Sequence, residues 1–262
     1  MSRERVRAPL GLLVLGVIGF TILVLPPLAV ALEVPWGEMG RTLRAPAVLD
    51  AVVLSLACTA IAVAVATVLG VPLAWLLARV RVPGVRVIRA VCALPLVLPP
   101  VVAGIALLLA FGPDGLLGSA IASTFGRDVP TTTVAVVIAA TFVALPFIVL
   151  VTEAGLRAAD VRLEEVAATL GASPWTTLRR VTLPAIARPL GAGVALAWAR
   201  ALGEFGATIT FAGDVPGATR TLPLAVYAAL DVDPAVAYVL SALLALLALV
   251  LLVALSERQD PA

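Results

Sequence analysis

In the run "WARALGEFGATITFAG", residues 198 to 213, an arginine and a glutamate stand four positions apart among apolar side chains. On a helix Arg200 and Glu204 share a face and can pair. Charge inside a bilayer is costly and usually faces a bundle interior or a water-filled cavity. The pair therefore reads either as a structural ion pair near the cytoplasmic end of a span or as part of a gate. A gradient-driven carrier using Glu204 as its proton site is a rival of a different class. The second polar stretch, "EEVAATLGASPWTTLRRVTLP" at 164 to 184, holds two glutamates, two arginines, a tryptophan and two prolines between long apolar runs.

Missing residues narrow the chemistry further. All 18 basic residues are arginine, and there is no histidine. A nucleotide-binding P-loop needs its lysine, and a Schiff-base enzyme needs an amine. Without histidine the usual general base, the HExxH metal site and the Ser-His dyad are also gone. Cys58 and Cys92 fall in separate apolar runs without metal spacing, as small buried hydrophobes do. No catalytic residue, cofactor or metal site is expected. The spans hold no convergent acidic cluster, so an intramembrane enzyme is remote. Uphill movement of a solute would draw on a partner chain or an ion gradient.

The elements that position these residues follow from composition. The chain is 62% hydrophobic and 13% charged, with mean hydropathy +1.13, against about 45–50% and about 25% for soluble domains. An all-α integral membrane protein is expected, a single transmembrane domain over 1–262. A span needs about 20 apolar residues, which gives six: 10–32, 50–78, 90–111, 132–152, 191–212 and 235–255. Arg3, Arg5 and Arg7 precede the first, but its run exceeds that of a signal peptide, so it reads as a retained helix. Arginines then cluster at 79–89, 157–188 and 258, against only Arg41, Arg44, Arg127 and Arg220 on the other side. Cytoplasmic loops are enriched in positive charge, so both termini and the loop 153–190 are placed in the cytoplasm. The net charge of +2 reports topology and gives no reason to invoke nucleic acid.

Residues 33–49, 112–130 and 213–234 read as solvated outer loops. The third span opens as "LPLVLPPVVAG", where three prolines remove amide donors. A kinked structural helix and a broken, pathway-lining one around Pro99 and Pro100 both fit. Gly203 and Gly206 permit close helix approach and suggest a subunit interface. No internal repeat is evident. Within 153–190, Val161, Val166, Ala167 and Leu170 form one apolar face of a helix ending at Gly171. Ser173 then caps a second helix that begins at Pro174, presents Trp175, Leu178 and Val181, and stops at Pro184.

The spacing Glu165-Val166-Ala167, three residues, Gly171, nine residues, Val181-Thr182-Leu183-Pro184 resembles the EAA loop of ABC-importer permeases. Val166 and Val181 depart from that pattern by small apolar exchanges. "LPLVLPPVVAG" and "GEFGATITFAGDVPGATRTLPLAVY" are similar to the molybdate permease subgroup, close to the sulfate and tungstate permeases. The resemblance runs from about the second span to the sixth. It implies a type I importer permease fold in a bacterial-type cytoplasmic membrane, with two copies lining a pathway. Two separate ATP-binding subunits and an extracytoplasmic oxyanion-binding protein would complete the assembly, embedded in membrane lipid. It assigns Glu165, Ala167 and Gly171 to ATPase coupling, framed by Leu183 and Pro184. For the anion, Pro99, Pro100, Thr208 and Thr210 become pathway candidates beside Arg200 and Glu204. Sulfate, tungstate or another oxyanion is the alternative cargo.

Overall fold

In a computed structural model, residues 9–126 and 128–256 are described. Arg3, Arg5, Arg7, Arg127 and Arg258, which enter the charge argument above, lie outside them. The described residues form helices joined by short connections, with no strand among them. Helix α1 (Leu10–Glu33) and the short α2 (Trp36–Leu43) precede the long α3 (Pro46–Arg79). The third span is two helices, α4 (Val85–Val97) and α5 (Pro100–Phe111), followed by α6 (Gly118–Phe125) and α7 (Thr133–Ala158). Next come α8 (Arg162–Thr169), α9 (Pro174–Thr177), a π turn (Leu178–Thr182) and α10 (Leu183–Ala185). The last elements are α11 (Ala187–Leu202), α12 (Gly206–Phe211), α13 (Leu222–Leu230) and α14 (Pro234–Ser256). Four helices are long and apolar enough to cross a membrane alone; two bent pairs, Val85–Val97 with Pro100–Phe111 and Pro174–Ala185 with Ala187–Leu202, bring the count to as many as six, the second pair including the loop helices α9 and α10.

The centre of the bundle is α3 against α7, with α11 alongside. On α3, Cys58, Ala62, Ala66, Gly70 and Ala74 recur every fourth residue, and α7 answers with Ala140, Ala144 and Ile148. Lipid supplies no hydrophobic drive for association, so spans bind by close packing through small residues. Gly70 leaves no spare room: a Cβ there would stand 2.8 Å from Ile148. Gly193, Ala197 and Ala201 continue the pattern on α11. In contrast, α1 has no buried residue.

Several expectations change at this level. The third span is broken rather than kinked: α4 and α5 meet at 117° across extended Leu98 and Pro99. The fifth span also breaks, at 203–205. The two breaks meet, because a Cβ on Gly206 would lie 2.3 Å from Pro100 and one on Gly104 would lie 2.5 Å from Thr210. Gly206 is therefore used inside the chain, not at a subunit interface. The expected outer loop at 213–234 contains α13, whose Leu222 and Leu224 are fully buried. Pro184 does not stop its helix. The π turn widens the ring just before it, with the Leu183 N–H donating to the Leu178 carbonyl, and the chain turns at Ile186. A widened turn accommodates a proline that cannot supply the usual donor. Gly206→Ala should lower the thermal unfolding midpoint, with overpacking costing about 1–3 kcal/mol. Gly16→Ala, in open space on α1, should not; equal midpoints for both would contradict the tight contact.

Candidate functional site: the loop between the fourth and fifth spans

Helix α8 closes with a Schellman motif. The Gly171 N–H donates to Ala168 O and the Ala172 N–H to Ala167 O, both at 3.0 Å. That closure needs a left-handed residue, and Gly171 has φ of +80°. Two residues further on, Ser173 Oγ accepts from the Thr176 N–H at 3.2 Å, with Pro174 in the first turn. This matches the capped helix pair expected from the sequence. Ala167 thus holds the motif through its backbone carbonyl, while Leu183 and Pro184 lie where the second helix joins α11.

The two neighbouring glutamates have opposite fates. Glu164 accepts three hydrogen bonds from Arg79 at 3.0–3.3 Å and one from Thr182 Oγ1 at 3.1 Å. The Arg79 and Glu164 side chains are only 11% and 19% exposed. This pair ties the loop to the end of α3. Glu165 is exposed, as are Val166, Leu170 and Trp175. The sequence reading singled out Glu165 and missed Glu164. The signal was available in Arg79, which ends a span too long for the bilayer alone.

A second clamp sits beside it. Glu153, 4% exposed, accepts from Arg89 Nε at 2.6 Å and Arg157 Nε at 2.9 Å. Both guanidinium groups also donate to Leu77 O, satisfying a carbonyl at the end of α3 that the helix leaves open. Three spans are thereby joined at one end.

At the break in the fifth span, Glu204 is committed on both sides. One carboxylate oxygen accepts from Arg200 at 2.5 Å and the other from the Ala207 N–H at 2.8 Å. The carboxylate therefore closes the start of α12 as an N-cap does. The ion-pair reading fits this geometry better than a free proton site. The pair lies beside Ser55 and Thr59 in the half of α3 away from the loop, however, not near the loop end of its span as expected. Thr208 is buried with Ser55, Thr59 and Thr221 around a small cavity next to Glu204. Thr210 Oγ1 donates to Gly206 O at 2.9 Å. Pro99 and Pro100 stand at the other break, with Pro100 against Gly206 of α12. The structure thus gathers Pro100, Glu204, Thr208 and Thr210 around one region and places Glu165, Ala167 and Gly171 at the loop.

Among the described residues no group of His, Cys, Asp and Glu could hold a metal. Cys58 and Cys92 are free thiols, and Cys58 packs in the core. Glu164→Gln should cost about 1–3 kcal/mol by weakening charge-assisted hydrogen bonds and speed protease cleavage within 160–184. Glu165→Gln should leave both unchanged. Matching cleavage rates for the two variants would contradict the tether.

Comparison with known proteins fits this architecture. Residues 70–259 match the family described as "Binding-protein-dependent transport system inner membrane component". The molybdenum transport system permease protein ModB of Mycobacterium tuberculosis is 45% identical over 87% of this chain and 86% of its own length. A probable sulfate transport system permease of Zygnema circumcarinatum is 36% identical over 76% and 69%. The fold is shared with a crystal structure of a bacterial ABC transporter involved in the import of the acidic polysaccharide alginate. There the TM-score is 0.73 at 17% identity, covering 95% of this chain and 93% of that one. The chain belongs to the family of binding-protein-dependent transport system inner membrane components.

Proposed function

We propose that this chain is the permease subunit of an ATP-driven, binding-protein-dependent molybdate importer. The observation that carries the reading is the capped loop of 162–185, tethered to α3 by Arg79 and Glu164 while presenting Glu165, Val166, Leu170 and Trp175 outward. A short helix pair with a charged and apolar outer face, rigidly joined to the bundle, suits transmission of motion from a separate ATPase. Molybdate is favoured over sulfate by the higher identity to the molybdenum permease, 45% against 36%.

The whole chain acts in this reading as one transmembrane domain. Two copies line the pathway, two ATPase subunits dock on the loops, and an extracytoplasmic protein delivers the anion. The loop end is cytoplasmic, where ATP is found, which puts both termini on that side and agrees with the arginine distribution. ATP-driven closure draws the loops together and pulls α3 through Arg79. Parting of Pro100 from Gly206 then opens the bundle and lets Thr208 and Thr210 meet the anion. Hydroxyls suit passage because a cage of arginines would hold the ion instead of releasing it.

The test is uptake of labelled molybdate into proteoliposomes containing this chain, its ATPase and its binding protein. Uptake should require ATP, be blocked by tungstate but not sulfate, and fall at least about tenfold with Glu165→Arg, the effect of a 1.4 kcal/mol loss. Full uptake by a Thr208→Val, Thr210→Val double variant would remove the threonines from the pathway. Preferential uptake of sulfate would change the cargo alone. Uptake indifferent to both ATP and Glu165→Arg would overturn the reading.

A further inference from the structure

The connection between α3 and α4, residues 80–84, borders a basin of about 700 Å³. Arg79, Arg81, Arg89 and Arg157 line it, and among the described residues no carboxylate does. The charge balance is uneven. Glu164 neutralises Arg79, whereas Arg89 and Arg157 share the single carboxylate of Glu153. Arg81 is exposed, with no ion-pair partner among the described residues. Four cations thus face two carboxylates, leaving two positive charges around one concavity.

Orientation adds to charge. Arg89 and Arg157 are each held by a bond to Glu153 and another to Leu77 O, so little freedom remains to be lost on binding. Planar guanidinium groups suit phosphate-like oxygens. The basin also lies at a span end, where a basic pocket attracts anionic headgroups. We propose that this basin binds a tetrahedral oxyanion of the phosphate type, either the headgroup phosphate of an anionic lipid or a free ion. This site is separate from the broken spans and independent of which anion is transported. Its rim residue Arg79 also holds the loop, so an occupied basin braces the same end of α3.

Native mass spectrometry of the full chain released from nanodiscs of mixed phosphatidylglycerol and phosphatidylcholine tests the lipid source. Wild type should retain phosphatidylglycerol, and Arg81→Gln and Arg157→Gln should each lower retention about fivefold, as expected for one arginine near an anionic surface. Arg41→Gln at the opposite end should not. In nanodiscs of phosphatidylcholine alone, inorganic phosphate tests the free ion. It should raise the unfolding midpoint of wild type but not of Arg81→Gln. Either arm establishes the site and names its source. Because Arg81 has no ion-pair partner among the described residues, its variant decides the matter even if Arg157→Gln fails to fold. Unchanged lipid retention in Arg81→Gln together with no phosphate shift, or an equal loss with Arg41→Gln, would overturn the proposal.

Discussion

Close approach of backbones is the constraint on which this protein rests. In hydrocarbon an apolar side chain gains nothing by leaving lipid for a neighbouring helix, so contact must come from dispersion at short range. Cys58, Ala62, Ala66, Gly70 and Ala74 give α3 one narrow face, and Ile148 of α7 fills the space at Gly70. Gly155 does the same for Pro189, where a Cβ would stand 2.6 Å away. Larger residues at these points would separate the helices that hold everything else in register.

A packed centre permits irregular backbone at its margins. Both broken spans lose intrahelical hydrogen bonds, which lipid cannot replace. The chain supplies a substitute in the fifth span, where Glu204 takes the Ala207 N–H, and another at the start of α13, where Ser55 Oγ takes the Leu222 N–H at 2.6 Å. At the opposite end, Arg89 and Arg157 satisfy the Leu77 carbonyl while sharing Glu153. Charged residues here close helix ends, and one face of the loop, with Val166, Leu170 and Trp175, stays exposed. The same long helix, α3, runs from the break region to the loop, making it the mechanical link between them.

Much of this was legible because lipid imposes simple rules. Four helices long enough to cross a membrane followed from apolar runs, while the third and fifth runs hid breaks, and the loop helices followed from Gly171, Ser173 and Pro174, whose types demand those caps. The motif spacing identified the family correctly. The failures came where tertiary contacts decide. Nothing local distinguishes Glu164 from Glu165; only the position of Arg79 does. Gly206 looked free for another subunit until Pro100 occupied it. Pro184 carries a stop signal that a π turn absorbs, and 213–234 reads as polar although Leu222 and Leu224 anchor it in the core.

The central claim is that the loop and α3 move as one body. Spin-label distances in the assembled, membrane-reconstituted transporter test it directly. One pair joins Thr169 on α8 to Arg81 just beyond α3 within a chain; the other joins Thr169 across the two copies of the proposed assembly. ATP binding should shorten the distance between copies while leaving the distance within each chain unchanged. A change within the chain as large as that between copies would show that the Arg79–Glu164 tether does not transmit the motion.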